Sequence, residues 1–183
     1  MTILYFINQI FSLGAIGAHI FILLAIIYFM FFRKKSNFIT DFIGKNGILL
    51  AFIVVFAATL GSLFYSEIAG YAPCKLCWFQ RIFMYPQTIL LGIAVWRKDY
   101  QIVVYGLALS VIGSFIASYH YIMQLGFVPS LPCSAVGYSA SCSPRFVLQF
   151  GYITIPLMAL TVFALIIIFL IFSKIYNKND GNN

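Results

Sequence analysis

The chain is predicted to be an all-α membrane protein, with a four-helix transmembrane bundle core plus one additional N-terminal transmembrane helix. Three observations predict this. Hydrophobic residues make up 63% of the 183 positions and charged residues 8%, with a mean hydropathy of +1.01. So little polar surface cannot cover a water-soluble domain. The apolar residues gather into five runs, each long enough, at about 1.5 Å per helical residue, to cross about 30 Å of hydrocarbon. The basic residues cluster between those runs, so the net charge of +7 reads as topology signals and anionic headgroup contacts, and not as a nucleic-acid surface.

The first run, residues 3–32, has no basic leader, is too long for a secretory signal core and shows no small-residue cleavage site. It is read as a retained span. A polar stretch at 33–46 leads to the second run, 47–66, and a short connection at 67–77 leads to the third, 78–96, where Pro86 is expected to introduce a kink. A turn at 97–101 opens the fourth run, 102–125. It carries Ser110, Ser114 and Ser118 beside Gly106, Gly113 and Ala117, small residues that let helices approach closely and place this span at the bundle centre. The loop 126–152 precedes the last run, 153–172. Trp78, Trp96, Tyr71, Tyr100 and Tyr152 fall near span ends, as an interfacial aromatic belt requires. No connection is long enough for a soluble domain. The organisation is an N-terminal helix with its loop (1–46), a four-helix core (47–176) and a polar tail (177–183) expected to be disordered.

Orientation follows from the charges. Arg33, Lys34, Lys35, Lys45, Arg97, Lys98, Lys174 and Lys178 fall on one side of a five-span layout, and Lys75, Arg81 and Arg145 on the other. This bias makes the first side cytoplasmic. The chain's four cysteines, Cys74, Cys77, Cys133 and Cys142, then all face outward, into a compartment where disulfides persist.

Cys74-Lys75-Leu76-Cys77 places two thiols one helical turn apart at the start of a span. Backbone N–H groups at a helix start and nearby cations stabilise a thiolate; here the cations are Lys75 and Arg81. A redox pair, a structural disulfide and half of a zinc site all remain open on the motif alone. Against zinc, Cys133 and Cys142 have eight residues between them, where a zinc knuckle brings its pair within two to four; no metal is expected. Gly, Ser and Pro flank those two thiols in a loop suited to docking a partner. Arg81 follows Cys77 by four positions and shares its helix face. Just inside a span, it either meets lipid phosphate or a polar edge of a lipid-soluble ligand. His120 sits at the outer end of the fourth span with Gln124 one turn on, Glu67 is an acidic residue placed to pair with Arg81 or Lys75, and His19 lies within the first span as a packed polar residue.

The run Ser62-Leu-Phe-Tyr-Ser-Glu67, followed by Pro73-Cys74-Lys-Leu-Cys77-Trp-Phe-Gln-Arg81-Ile-Phe-Met-Tyr-Pro86, resembles the DsbB family of disulfide bond formation proteins, nearest its BdbC-like branch. Tyr119-His120-Tyr121 and Gly151-Tyr-Ile-Thr-Ile-Pro156 extend the likeness. The resemblance implies a bacterial cytoplasmic-membrane enzyme that reoxidises a DsbA-like thioredoxin-fold thiol oxidase outside the cytoplasm and passes the electrons to a membrane quinone, ubiquinone or menaquinone. It implies that Cys74 and Cys77 are the quinone-proximal pair, that Cys133 and Cys142 face the partner, and that Arg81 and His120 lie near the quinone. The first span is additional to the family's four-helix core, and the second cysteine loop is shorter than in the enterobacterial type.

Overall fold

The computed structural model describes residues 2–31, 38–128, 142 and 145–180. Among the described residues are six α-helices: α1 (Thr2–Phe31), α2 (Phe38–Lys45), α3 (Gly47–Leu63), α4 (Lys75–Arg97), α5 (Ile102–Gln124) and α6 (Ile155–Asp180). A π-helical turn, Phe64–Ile68, continues α3. Helices α3, α4, α5 and α6 pack in a closed ring in which each touches the next and α6 returns to α3. This is the expected four-helix core. Its centre holds Ala51, Val55, Leu91, Ala117, Phe163, Ile166 and Leu170, all inaccessible to solvent. Helix α1 lies outside the ring against α6.

Glycine sets two of the closest approaches. A methyl group at Gly47 would meet the Phe169 carbonyl and Ser173 of α6, and one at Gly113 would run into the Phe163 ring. Small residues therefore do hold α5 against its neighbours, along a seam of Val103, Gly106, Ser110, Gly113, Ala117, His120 and Gln124. The alternating steps of three and four residues keep that seam on one face. Ser114 and Ser118 lie off it, half-buried, and the Ser114 hydroxyl turns back to its own helix at Ser110.

By length and composition four helices suffice to cross a bilayer: α1, α3 with its π turn, α5 and α6. Helix α4 is 23 residues long but more polar, and it packs between α3 and α5. Its polar groups are met by neighbours: Gln80 by His120, Arg81 by Ser62, Gln87 by Ser110 and Thr88 by Thr59. Such pairing makes polar side chains tolerable at membrane depth. The helix continues unbroken through Pro86.

Three expectations are corrected. The stretch 33–46 is not all loop, because Phe38, Ile39, Phe42 and Ile43 make α2 an amphipathic helix that packs on α6 through Gly44, close against Tyr176. The polar tail is helical through Asp180, with Lys174 and Lys178 near the C-terminal end of α6, where cations are favoured. Tyr71 does not join the aromatic belt, which Trp78, Trp96, Tyr100 and Tyr152 do populate as exposed rings; it stacks inward on Tyr65 and Phe146.

Candidate functional site

Cys74 is the N-cap of α4, in extended conformation, and Cys77 stands in the first turn. Both stand ahead of the apolar run 78–96. The Cys74 thiol donates a hydrogen bond to the Cys77 sulfur at 3.2 Å. That bond, reinforced by burial, pushes the Cys74 thiol up to about 12. The same bond, with a second from the Cys74 main chain and the charge of Arg81, holds Cys77 below the ordinary cysteine value despite its burial. The pair is thereby unequal: Cys74 holds its proton the more tightly and Cys77 is the more acidic thiol.

Cys142 is buried with Cys74 and Met123 in one cluster against Leu76 and Cys77. Cys133 lies outside the described residues. His120, fully buried, reaches the same place from α5: one ring nitrogen is 3.8 Å from the Cys74 sulfur and 3.2 Å from the Cys142 carbonyl, and the other is 3.0 Å from the Gln80 amide. His120 thus belongs to the thiol side of the site. Arg145 donates two hydrogen bonds to the Gln124 carbonyl at the end of α5 and so ties the chain just after Cys142 to the bundle. Cys74, Cys77, His120, Cys142 and Arg145 line a narrow cleft of about 30 Å³.

A second cavity, of about 470 Å³, opens on the other side of Cys77. Its walls are mostly aliphatic and aromatic, with Cys77, Gln80, Arg81 and Ser62 as its polar edge. Cys74 and His120 are not among the residues that line it. The volume falls within the roughly 300–1,000 Å³ typical of small-molecule sites. Arg81 is aimed by α3: its Nε donates to the Ser62 hydroxyl at 3.0 Å and its Nη2 to the Ser62 carbonyl at 3.1 Å. The guanidinium also lies over Trp78 and Tyr85, 5.2 and 5.9 Å from the ring centroids. Protein groups, and not only headgroups, thus hold it in place. Glu67, exposed on the π turn, makes no ion pair with Arg81 or Lys75 among the described residues. His19 is packed as expected, bonded to Thr161 at 2.8 Å.

Sequence reasoning gave no role to Gln80, Ser62 or Arg145. Gln80 could have been found from its place, one turn after Cys77 on the same helix face. Ser62 and Arg145 leave no such signal, because their partners lie on other elements.

Residues 44–173 match the family "Disulfide bond formation protein DsbB". The chain belongs to the DsbB family. "Disulfide bond formation protein C" of Bacillus subtilis is 43% identical over 135 residues, 71% of this chain and 96% of the relative. "SPbeta prophage-derived disulfide bond formation protein B" of the same organism is 48% identical over 122 residues, 67% of this chain and 81% of the relative. A "Probable disulfide formation protein" of Metapseudomonas resinovorans is 43% identical over 128 residues, 69% and 88% of the two chains. No solved structure matches. This DsbB-family chain is therefore a multi-pass membrane oxidoreductase of disulfide bond formation in the BdbC-like branch. The donor set of Cys74, Cys77 and His120, whose ligand atoms lie within 4.8 Å of one another, is also compatible with a bound ion.

Proposed function

We propose that the chain is a quinone-dependent protein-dithiol oxidoreductase, which reoxidises a DsbA-like thioredoxin-fold thiol oxidase on the extracytoplasmic side of the membrane. The observation that carries this reading is the position of Cys77, which lines both the thiol cleft and the apolar cavity. A quinone suits that cavity: the walls are apolar, and Arg81 spends only part of its donor fork on Ser62. When bound, the quinone supplies an acceptor for two electrons and two protons.

The protein's own chemistry is a series of thiolate–disulfide exchanges. The partner's thiolate attacks Cys133 of a Cys133–Cys142 disulfide, forming a mixed disulfide and releasing the Cys142 thiolate. Cys142, buried beside Cys74, attacks Cys74; the Cys74–Cys77 bond breaks and Cys77 leaves as thiolate. Its lowered pKa makes it the better leaving group. The partner's second thiolate then displaces Cys133 and the partner departs oxidised. Cys133 attacks Cys142, restoring the Cys133–Cys142 disulfide and releasing Cys74, which takes up a proton. The electron pair now rests on Cys74 and Cys77, whose sulfurs are hydrogen-bonded as described above. Arg81 faces the cavity where negative charge must be stabilised when that pair is drawn off.

The test uses purified protein, a reduced dithiol partner and a short-chain quinone. Wild-type protein is expected to consume both. Cys133→Ala should lose the mixed disulfide with the partner, while Cys77→Ala should keep it and lose quinone consumption. Loss of both half-reactions in either folded variant would reject the division of labour. Zinc is the competing reading of the Cys74–Cys77–His120 triad, and one equivalent of zinc per purified chain would favour it.

A further inference from the structure

The family match begins at residue 44, so α1 stands outside it. Yet α1 walls the large cavity with Phe11, Gly14, Ala15 and Ala18, facing Cys77 and Arg81. We propose that α1 completes the quinone site and acts as its selectivity wall, an inference that rests on the quinone reading above.

The helix is held in one register. The Tyr65 hydroxyl donates to Asn8 Oδ1 at 2.9 Å near one end, His19 meets Thr161 at 2.8 Å midway, and Phe29 packs on Phe172 at 4.8 Å between centroids near the other end. A slip of one residue would turn each of these side chains by about 100°. Phe11 also extends an aromatic row across the cavity, packing on Tyr65, which stacks on Tyr71, which stacks on Phe146. All four rings line the cavity.

Gly14 shows what this wall leaves open. At Gly47 and Gly113 an added methyl group would collide with the facing helix, so close packing explains those glycines. At Gly14 an added Cβ would meet no atom within 4 Å, although the residue lines the cavity. Gly14 is exposed, and the open space in front of it adjoins the cavity that it lines. Without α1, Cys77 and Arg81 would be open on that side. The occupant is therefore bounded by the aromatic row, by the Arg81 edge, and by a small-residue wall that sets how wide a ring can enter.

Gly17 supplies a matched control. It too has nothing within 4 Å of an added Cβ, but it does not line the cavity. Binding of a short-chain naphthoquinone to detergent-purified protein is read by quenching of tryptophan fluorescence, with no turnover required. Gly14→Phe is expected to weaken binding at least tenfold and Gly17→Phe less than twofold, both keeping the wild-type helix content by circular dichroism. Should Gly14→Phe fail to fold, Ala18→Leu narrows the same wall and is expected to weaken binding at least threefold against Gly17→Phe. Equal binding by the wall variant and Gly17→Phe would overturn the role of α1 and leave the quinone reading intact. No binding to the wild type would overturn both.

Discussion

Cys74 and Cys77 differ in proton affinity because one donates to the other across 3.2 Å. The direction of each shift gives a pH signature. Cys77, held below the ordinary cysteine value by that bond, should become reactive to an alkylating agent at a pH where a free cysteine is still protonated. Cys74, raised to about 12, should stay unreactive across that range. Removing the donor in Cys74→Ala should move the onset for Cys77 upward, since the anion loses its largest stabilisation. Peptide mapping after timed alkylation of the reduced protein reads each cysteine separately, and equal onset for both would reject the division. At Arg81 the planar fork matters. Lysine cannot bond the Ser62 hydroxyl and carbonyl while also presenting donors to the cavity. One lost charge-assisted hydrogen bond costs about 1.5–3 kcal/mol, and about 1.4 kcal/mol is tenfold. Arg81→Lys is thus expected to raise the KM for quinone by about tenfold or more and to spare exchange with the partner. Unchanged quinone kinetics would return Arg81 to the role of a headgroup anchor.

At the scale of elements, the site exists because α4 carries polar residues that other helices satisfy, and because α5 packs closely on both α4 and α6. That approach depends on Gly113, whose added methyl group has only the fully buried Phe163 ring to displace. Overpacking of this kind costs about 1–3 kcal/mol. Gly113→Ala should lower the thermal midpoint in detergent. Gly113→Ala combined with Phe163→Leu should recover part of the loss, with a coupling of at least about 0.5 kcal/mol. Additive losses would mean the two residues do not share the contact.

Across the whole molecule, the two cysteine-bearing segments meet at one end of the bundle, while α2 and the exposed Trp96 lie at the other. From the clustering of basic residues we propose that the first end faces outside. Cys142 is buried, so native thiols make poor reporters. A cysteine at the exposed Ala72, in a chain with the native four replaced, is expected to react with a membrane-impermeant maleimide on intact cells. A cysteine at the exposed Asp99 should react only after the cells are opened. The reverse pattern would turn the protein over and place its chemistry in the cytoplasm.

The sequence by itself determined the membrane bundle, the extra first helix, the paired thiols and the arginine on the face of Cys77. Each is written in local information: apolar run length, basic clusters, and the spacing of residues on one helix. Helix α2 escaped because eight residues are too short for a periodic signal to stand out from a polar loop. The π turn escaped because no side-chain pattern encodes an added residue in a helical turn. Tertiary structure alone decided that His120 faces Cys74 and Cys142 and not the large cavity, that Ser62 aims Arg81, and that Cys77 stands between the cleft and the cavity. It also decided that α1 closes the far wall. These are contacts between elements far apart in the chain, fixed by helix rotation and depth of packing, and a sequence read one helix at a time carries neither.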